Sequence, residues 1–252
     1  MRPTPTVVTA LVAASLLALS PSAAAAEGVA ISWKNFCWGE EGSANNLTWL
    51  CNSNTNTNVR MTCSFKLDAA TPDFNGVGVF LEGMTEASAV PDWWKLGAAE
   101  TGDCRAGAIS VSADGSVLAN GGTDVCIDPW TPNGGGNGGL GLYSWDTNRM
   151  HANAAWALAD AIPLEANVEY FALQFRVSAE KTVGGCAGCL IPVIWGLSRI
   201  DWTTPTTINS LDICYTGGNQ CVTWQNSTLP CGVCNPDDAR NTTWGQIKSL
   251  YR

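Results

Sequence analysis

Between residues 59 and 68 the chain alternates strictly: Val59, Met61, Cys63, Phe65 and Leu67 are apolar, and Arg60, Thr62, Ser64, Lys66 and Asp68 are polar. Successive side chains of an extended chain point to opposite faces, so the run has one face for a core and one for water. It predicts a half-buried β-strand. The same period recurs through Phe171, Leu173, Phe175 and Val177, and through Val29, Ile31 and Trp33. It returns in Val77, Val79 and Leu81, with Phe80 on the other face, and more weakly in Ile109 and Val111. Ile191, Val193, Trp195 and Leu197 keep it, but Ile200 and Trp202 fall in the opposite phase. A one-residue slip without a turn signal predicts a bulge or bend near Ser198 and Arg199. Leu211, Ile213 and Tyr215 give a further strand, and Val222 with Trp224 a short one.

Residues 153–161 pull two ways. Their alanines favour helix by propensity, whereas Trp156 and Leu158 are spaced as on a strand. We read a strand, ended by Pro163. Turn residues separate the runs: the Asn/Ser/Thr tract 52–58, Asp114-Gly115, Asn120-Gly121-Gly122 and Thr216 to Asn219. The Gly/Asn tract 133–139 reads as a flexible loop, since it lacks the Lys-Ser/Thr ending of a phosphate-binding loop. Many short strands separated by turns, with no sustained helical period, predict an all-β chain: an antiparallel β-sandwich with Gly-rich loops.

The N-terminus bears on compartment. Arg2 precedes an uncharged apolar stretch, residues 7–19, followed by Ser20-Pro21-Ser22 and an alanine run ending at Ala26. This is the pattern of a cleaved secretory signal peptide, too short to span a bilayer that needs roughly 20 apolar residues. The expected organisation is a signal peptide over 1–26, a sandwich domain over 27–235 and a C-terminal tail over 236–252, with no transmembrane span in the mature chain. The expected location is secreted, extracellular or periplasmic.

Eleven cysteines in an exported chain read first as a disulfide set. The candidates are Cys37, Cys51, Cys104, Cys126, Cys186, Cys189, Cys214, Cys221, Cys231 and Cys234. The odd count leaves one over, and Cys63, on the apolar face of the cleanest strand, fits a buried free thiol. Cys37 with Cys51, Cys104 with Cys126 and Cys214 with Cys221 are close enough in sequence to close local loops, although connectivity does not follow from sequence. Cys186 to Cys189 and Cys231 to Cys234 are two C-x-x-C units. Zinc binding by them is disfavoured, because their separation exceeds that of a zinc ribbon.

A net charge of −9 argues against nucleic acid or an anionic membrane as a partner. The single histidine, His151, follows a loop and has no Gly-x-Ser-x-Gly nucleophile elbow to serve. Glu40-Glu41 and Asp237-Asp238 are sequence neighbours, which on a strand face opposite ways and do not form a facing acid–base pair. Asp124, Asp128, Asp146 and Asn148 lie in loops without an EF-hand spacing, so calcium stays open. No cofactor is predicted. Of twelve tryptophans, Trp33, Trp195 and Trp202 fall in phase with core positions. Trp93 and Trp94 are adjacent, so in an extended segment one of them faces outward; Trp130 sits in a Pro/Gly-rich loop. These three are the candidates for stacking on a polysaccharide.

Several segments together carry a resemblance: 164–170 leading into a long strand, Lys181 to Gly184, Cys186 to Cys189, Val222 to Gln225, and the C-terminus Trp244-Gly245-Gln246-Ile247-Lys248-Ser249-Leu250-Tyr251-Arg252. They resemble uncharacterised secreted bacterial proteins that share the signal peptide and the style of C-terminus. More loosely, the strand pattern is similar to cohesin-like and immunoglobulin-like sandwiches, which implies nothing about activity. In the tail, Trp244, Ile247 and Tyr251 recur at helical spacing after Thr242-Thr243. A helix of about three turns needs a surface. That surface is either the chain's own sandwich or a secretion or anchoring partner. The expected function is non-catalytic: a structural, adhesive or binding role at the cell envelope or outside the cell, toward a polysaccharide or an envelope protein. The alternatives are a carbohydrate-binding module using exposed tryptophan, and a secreted hydrolase.

Overall fold

A computed structural model describes residues 28–55, 59–97, 102–118, 125–212 and 220–231. Its strands in chain order are β1 (Gly28–Trp33), β2 (Asn46–Leu47), β3 (Arg60–Lys66), β4 (Thr71–Thr85), β5 (Ile109–Ser112), β6 (Asn137–Asp146), β7 (Arg149–Leu164), β8 (Glu169–Val177), β9 (Val193–Thr203), β10 (Ile208–Asp212) and β11 (Cys221–Trp224). They form an all-β sandwich. The smaller sheet has the order β1-β3-β8-β5, and the larger β2-β11-β9-β4-β7-β6, with β10 also on β9. Pairing is antiparallel throughout except between β11 and β2.

The period-2 runs become the two inner faces. Val29, Ile31 and Trp33 of β1 lie opposite Phe65, Cys63 and Met61 of β3, and all six are buried. From the larger sheet Val77, Val79 and Leu81 of β4 face the same core, flanked by Ala154 and Ala152 of β7 and by Ile200 and Leu197 of β9. The phase slip in β9 is a bulge. Arg199 pairs with Phe80 and Leu197 with Leu81, leaving Ser198 as the extra residue. Its hydroxyl donates to the Phe80 carbonyl at 3.1 Å.

The alanine-rich segment is strand because β4 and β6 pair with both its edges. Cross-strand pairing overrides a helix propensity worth only tenths of a kcal/mol per residue, on the order of 0.5. One reading needs correction: Asn137, Gly138 and Gly139 belong to β6, not to a flexible loop. A Cβ on Gly138 would lie 2.1 Å from the Ala155 carbonyl, so the glycine lets β6 approach β7. The expected strand through Ile213 and Tyr215 begins earlier, as β10; residues 213–219 lie outside the described residues, as does the tail 236–252 with Trp244, Ile247 and Tyr251.

Candidate functional site

The disulfides fix the loops at the ends of the sandwich. They are Cys37–Cys126, Cys51–Cys189, Cys104–Cys186 and Cys221–Cys231. The local pairings Cys37–Cys51, Cys104–Cys126 and Cys214–Cys221 are therefore incorrect. Distant loops meet once the sheets stack, so nearness in sequence is a poor guide. Each described C-x-x-C member goes to a different partner: Cys186 to Cys104, Cys189 to Cys51, Cys231 to Cys221. Bridges have consumed three of the four thiolates that a zinc site would use. Cys63 is free and buried, while Cys214 and Cys234 lie outside the described residues. Cys37, Cys126 and Glu40 also come within 4.8 Å of one another, but the two sulfurs are bonded to each other. Glu40 Oε2 accepts from the Cys37 N–H.

Trp93, Trp94 and Trp130 do not form an exposed platform; all three are fully buried. Trp93 and Trp94 sit in a 3₁₀ turn, Asp92–Trp94, where successive residues rotate by about 120° and both can enter the core. Their rings meet edge-on, 4.7 Å apart. Trp93 stacks on Trp224 at 5.1 Å, and Trp94 also packs against Trp195. Trp130 backs a bulge in β8, and its indole N–H donates to the carbonyls of Phe171 and Ala172 at 3.2 and 2.9 Å. Trp93 Nε1 donates to Thr182 Oγ1 at 2.9 Å, whereas the buried indole N–H of Trp94 has no acceptor; burial of all three rings removes them from any sugar-stacking role.

His151 is not a loop residue. It lies on β7 opposite Glu82 of β4 and Ser144 of β6, on the outer face of the larger sheet. Asp128 accepts from the N–H groups of Trp130 and Thr131, which makes it a turn cap. Asp146 and Asn148 bracket the β6–β7 turn, and Asp124 lies outside the described residues.

The outer face of the smaller sheet holds a polar constellation that the sequence reading passed over. Arg60 of β3 and Arg176 of β8 are register partners, and Ser110 of β5 is opposite Arg176 on its other side. One row inward, Thr62 pairs with Gln174, and both are buried. Gln174 Nε2 donates to Thr62 Oγ1 at 3.1 Å and to Asn35 Oδ1 at 3.3 Å. Gln174 Oε1 accepts from Arg176 Nε at 2.9 Å. Asn35 Oδ1 also accepts from Arg60 Nη1 at 2.9 Å. Thr62 Oγ1 donates to the Lys34 carbonyl at 2.8 Å. Lys34 has a φ of 73°, a left-handed turn that folds Asn35 back over the sheet. A single Gln–Asn–Thr network thus orients both guanidinium groups.

Both arginines line a cavity of about 310 Å³ with Ser110, Ser178, Asn54 and Glu180 at its walls. One wall is held by Asn54, whose side chain exchanges hydrogen bonds with the backbone of Val183 at 2.8 and 3.3 Å. Among the described residues neither guanidinium makes an ion pair. Nη2 of Arg176 is buried with no acceptor. Burial holds Arg176 below the ordinary arginine value, and the Arg60 charge adds to this while Asp114 opposes it. Asp114 itself is held below the usual carboxylate range, chiefly by the Ser116 hydroxyl, with Ser116 N–H and Arg176 adding to it. The site is a donor-rich cleft with two like charges side by side.

No protein-family model matches this chain, and no curated protein matches it. Among the described residues no helix is long and apolar enough to cross a membrane. Four disulfides fit a protein of an oxidising compartment.

Proposed function

We propose that this chain is an exported β-sandwich with a non-catalytic binding role at the cell envelope or outside the cell. The observation that carries the reading is the cleft over Arg60 and Arg176, whose polar side chains are fixed from beneath by Gln174 and Asn35. A site preorganised this way loses little side-chain freedom when a ligand docks. Export is supported by the four bridges, which would not persist in a reducing cytosol. The ligand-bearing partner in this reading is an extracellular polysaccharide or an envelope component. The tail with Trp244, Ile247 and Tyr251 remains a second element for self-docking or for a secretion or anchoring partner.

The test is an array of extracellular glycans probed with purified exported protein, after sequencing its N-terminus. Saturable retention on at least one polymer, with a mature start near Glu27, is the expected result. A start upstream of Ala23 would remove the signal-peptide assignment. Absence of retention on every polymer would remove the polysaccharide-binding reading.

A further inference from the structure

We propose that the cleft over Arg60 and Arg176 is an oxyanion site, taking a carboxylate or sulfate group of a small or terminal saccharide unit. This deepens the binding role and rests on it.

Two cations set opposite each other on adjacent strands are destabilising unless something lies between or above them. Here the register forces the pair together, and the nearest side chains do not neutralise it. Asn35 and Gln174 offer only neutral oxygens, one to Arg60 Nη1 and one to Arg176 Nε. These bonds hold each guanidinium from the sheet side, and both groups line the cleft. A guanidinium's charged N–H donors suit a carboxylate or a tetrahedral oxyanion, and one such donor from each arginine can reach a shared anion. Ser110, Ser178 and Asn54 add hydroxyl and amide groups around the same space, which suits the hydroxyls of a sugar ring. The volume of about 310 Å³ is at the small end of ligand clefts, so the occupant is of the order of one or two sugar units. Two acids face the site: Asp114 toward Arg176, and Glu180 at the wall. Glu180 contributes its carbonyl to Arg105. With the chain at −9 overall, attraction of an anion is local, made by the arginine pair and not by the protein's long-range field.

The test uses the full exported protein, isotopically labelled, followed by NMR titration with galacturonate, galactose 6-sulfate, free sulfate and neutral galactose at low ionic strength. The expected result is saturable shifts of the Ser110, Arg176 and Ser178 amides with both charged sugars, at least tenfold tighter than galactose, and weakened by added salt. Free sulfate saturating as tightly as the charged sugars would overturn the saccharide part and leave a bare anion site. Equal behaviour of galactose and the charged sugars, or shifts mapping elsewhere, would overturn the oxyanion assignment. Arg60→Gln and Arg176→Gln are each expected to weaken charged-sugar binding at least tenfold while near-ultraviolet circular dichroism stays native. Should either variant misfold, the wild-type selectivity and shift map still decide. A glycan-array ligand that binds both variants as tightly as wild type would leave the binding role standing and remove this site from it.

Discussion

The guanidinium carbon of Arg105 lies 3.9 Å from the centroid of the Trp93 ring, and Arg105 Nη1 donates to the Trp93 carbonyl at 2.8 Å. Nε of the same side chain reaches the Glu180 carbonyl at 3.0 Å. The residue is 1% exposed, and burial pushes its pKa down to about 10, so it stays charged at neutral pH. One cation therefore clamps the 3₁₀ turn carrying Trp93 and Trp94 to the loop after β8. Arg105→Ala removes a desolvated cation–π contact and leaves two carbonyls without their donors. The expected loss is about 3 kcal/mol in denaturant unfolding, with an unchanged slope. Arg105→Lys is expected to recover only part, since an ammonium lacks the planar fork. A loss in the alanine variant below about 1 kcal/mol would show that the clamp contributes little.

Gln174 tests the network beneath the cleft. Gln174→Leu keeps the volume but strands Arg176 Nε and removes a donor from Thr62 Oγ1 and Asn35 Oδ1. Buried polar groups left unpaired cost about 1–3 kcal/mol, and thermal unfolding is expected to register a loss in that range. Gln174→Glu should be tolerated better, because a carboxylate still accepts from Arg176 Nε. A leucine variant as stable as wild type would mean that the network is dispensable.

The bridges differ in what they constrain. Cys51–Cys189 spans 138 residues and Cys221–Cys231 spans 10. On loop-closure entropy alone the longer bridge stabilises more, by at most about 2 kcal/mol with the other bridges absent. Cys51 and Cys189 also adjoin the tryptophan cluster, where Trp224 Nε1 donates to the Cys189 carbonyl at 2.6 Å. Paired serine substitutions are expected to lower stability more at 51/189 than at 221/231. Peptide mapping without reduction should return the four pairings found here; recovery of a Cys37–Cys51 peptide would contradict the arrangement of the loops.

How much of this was legible in sequence depends on the range of the interaction. Period-2 runs predicted β1, β3 and β8, and the phase change between Leu197 and Ile200 predicted the Ser198 bulge, because both are local consequences of side-chain alternation. Disulfide partners were not legible, since Cys37 meets Cys126 only after two sheets stack. Trp93 and Trp94 were misread because a 3₁₀ turn was taken for an extended segment. Arg60 and Arg176 were visible as polar positions of two alternating runs, but the register that sets them side by side depends on a bulge at Ala172, which no pattern in the sequence marks.

Cys63 supplies the last prediction, one of pH dependence. Its thiol is fully buried between Ile31 on β1 and Leu173 on β8, and burial pushes its pKa far above that of an exposed cysteine. In the unfolded chain the thiol ionises near pH 8.5. Above that pH the unfolded state has lost a proton that the native state still holds, so stability falls as pH rises. The slope approaches about 1.4 kcal/mol per pH unit. Tyr143, held protonated by burial, and Arg105, held down to about 10, also titrate differently in the folded and unfolded chain, but both are common to wild type and a Cys63 variant, so the difference between the two proteins from about pH 8.5 isolates Cys63. Cys63→Ala removes the ionisable group and leaves a small cavity. The variant should start less stable at pH 7 and lose less on going to pH 10, so that the two stability curves converge. Thiol alkylation followed by peptide mapping gives an independent check: the peptide carrying Cys63 should label only in denaturant. Parallel curves for the two proteins, or rapid labelling of Cys63 under native conditions, would show that this thiol is not sealed in the core.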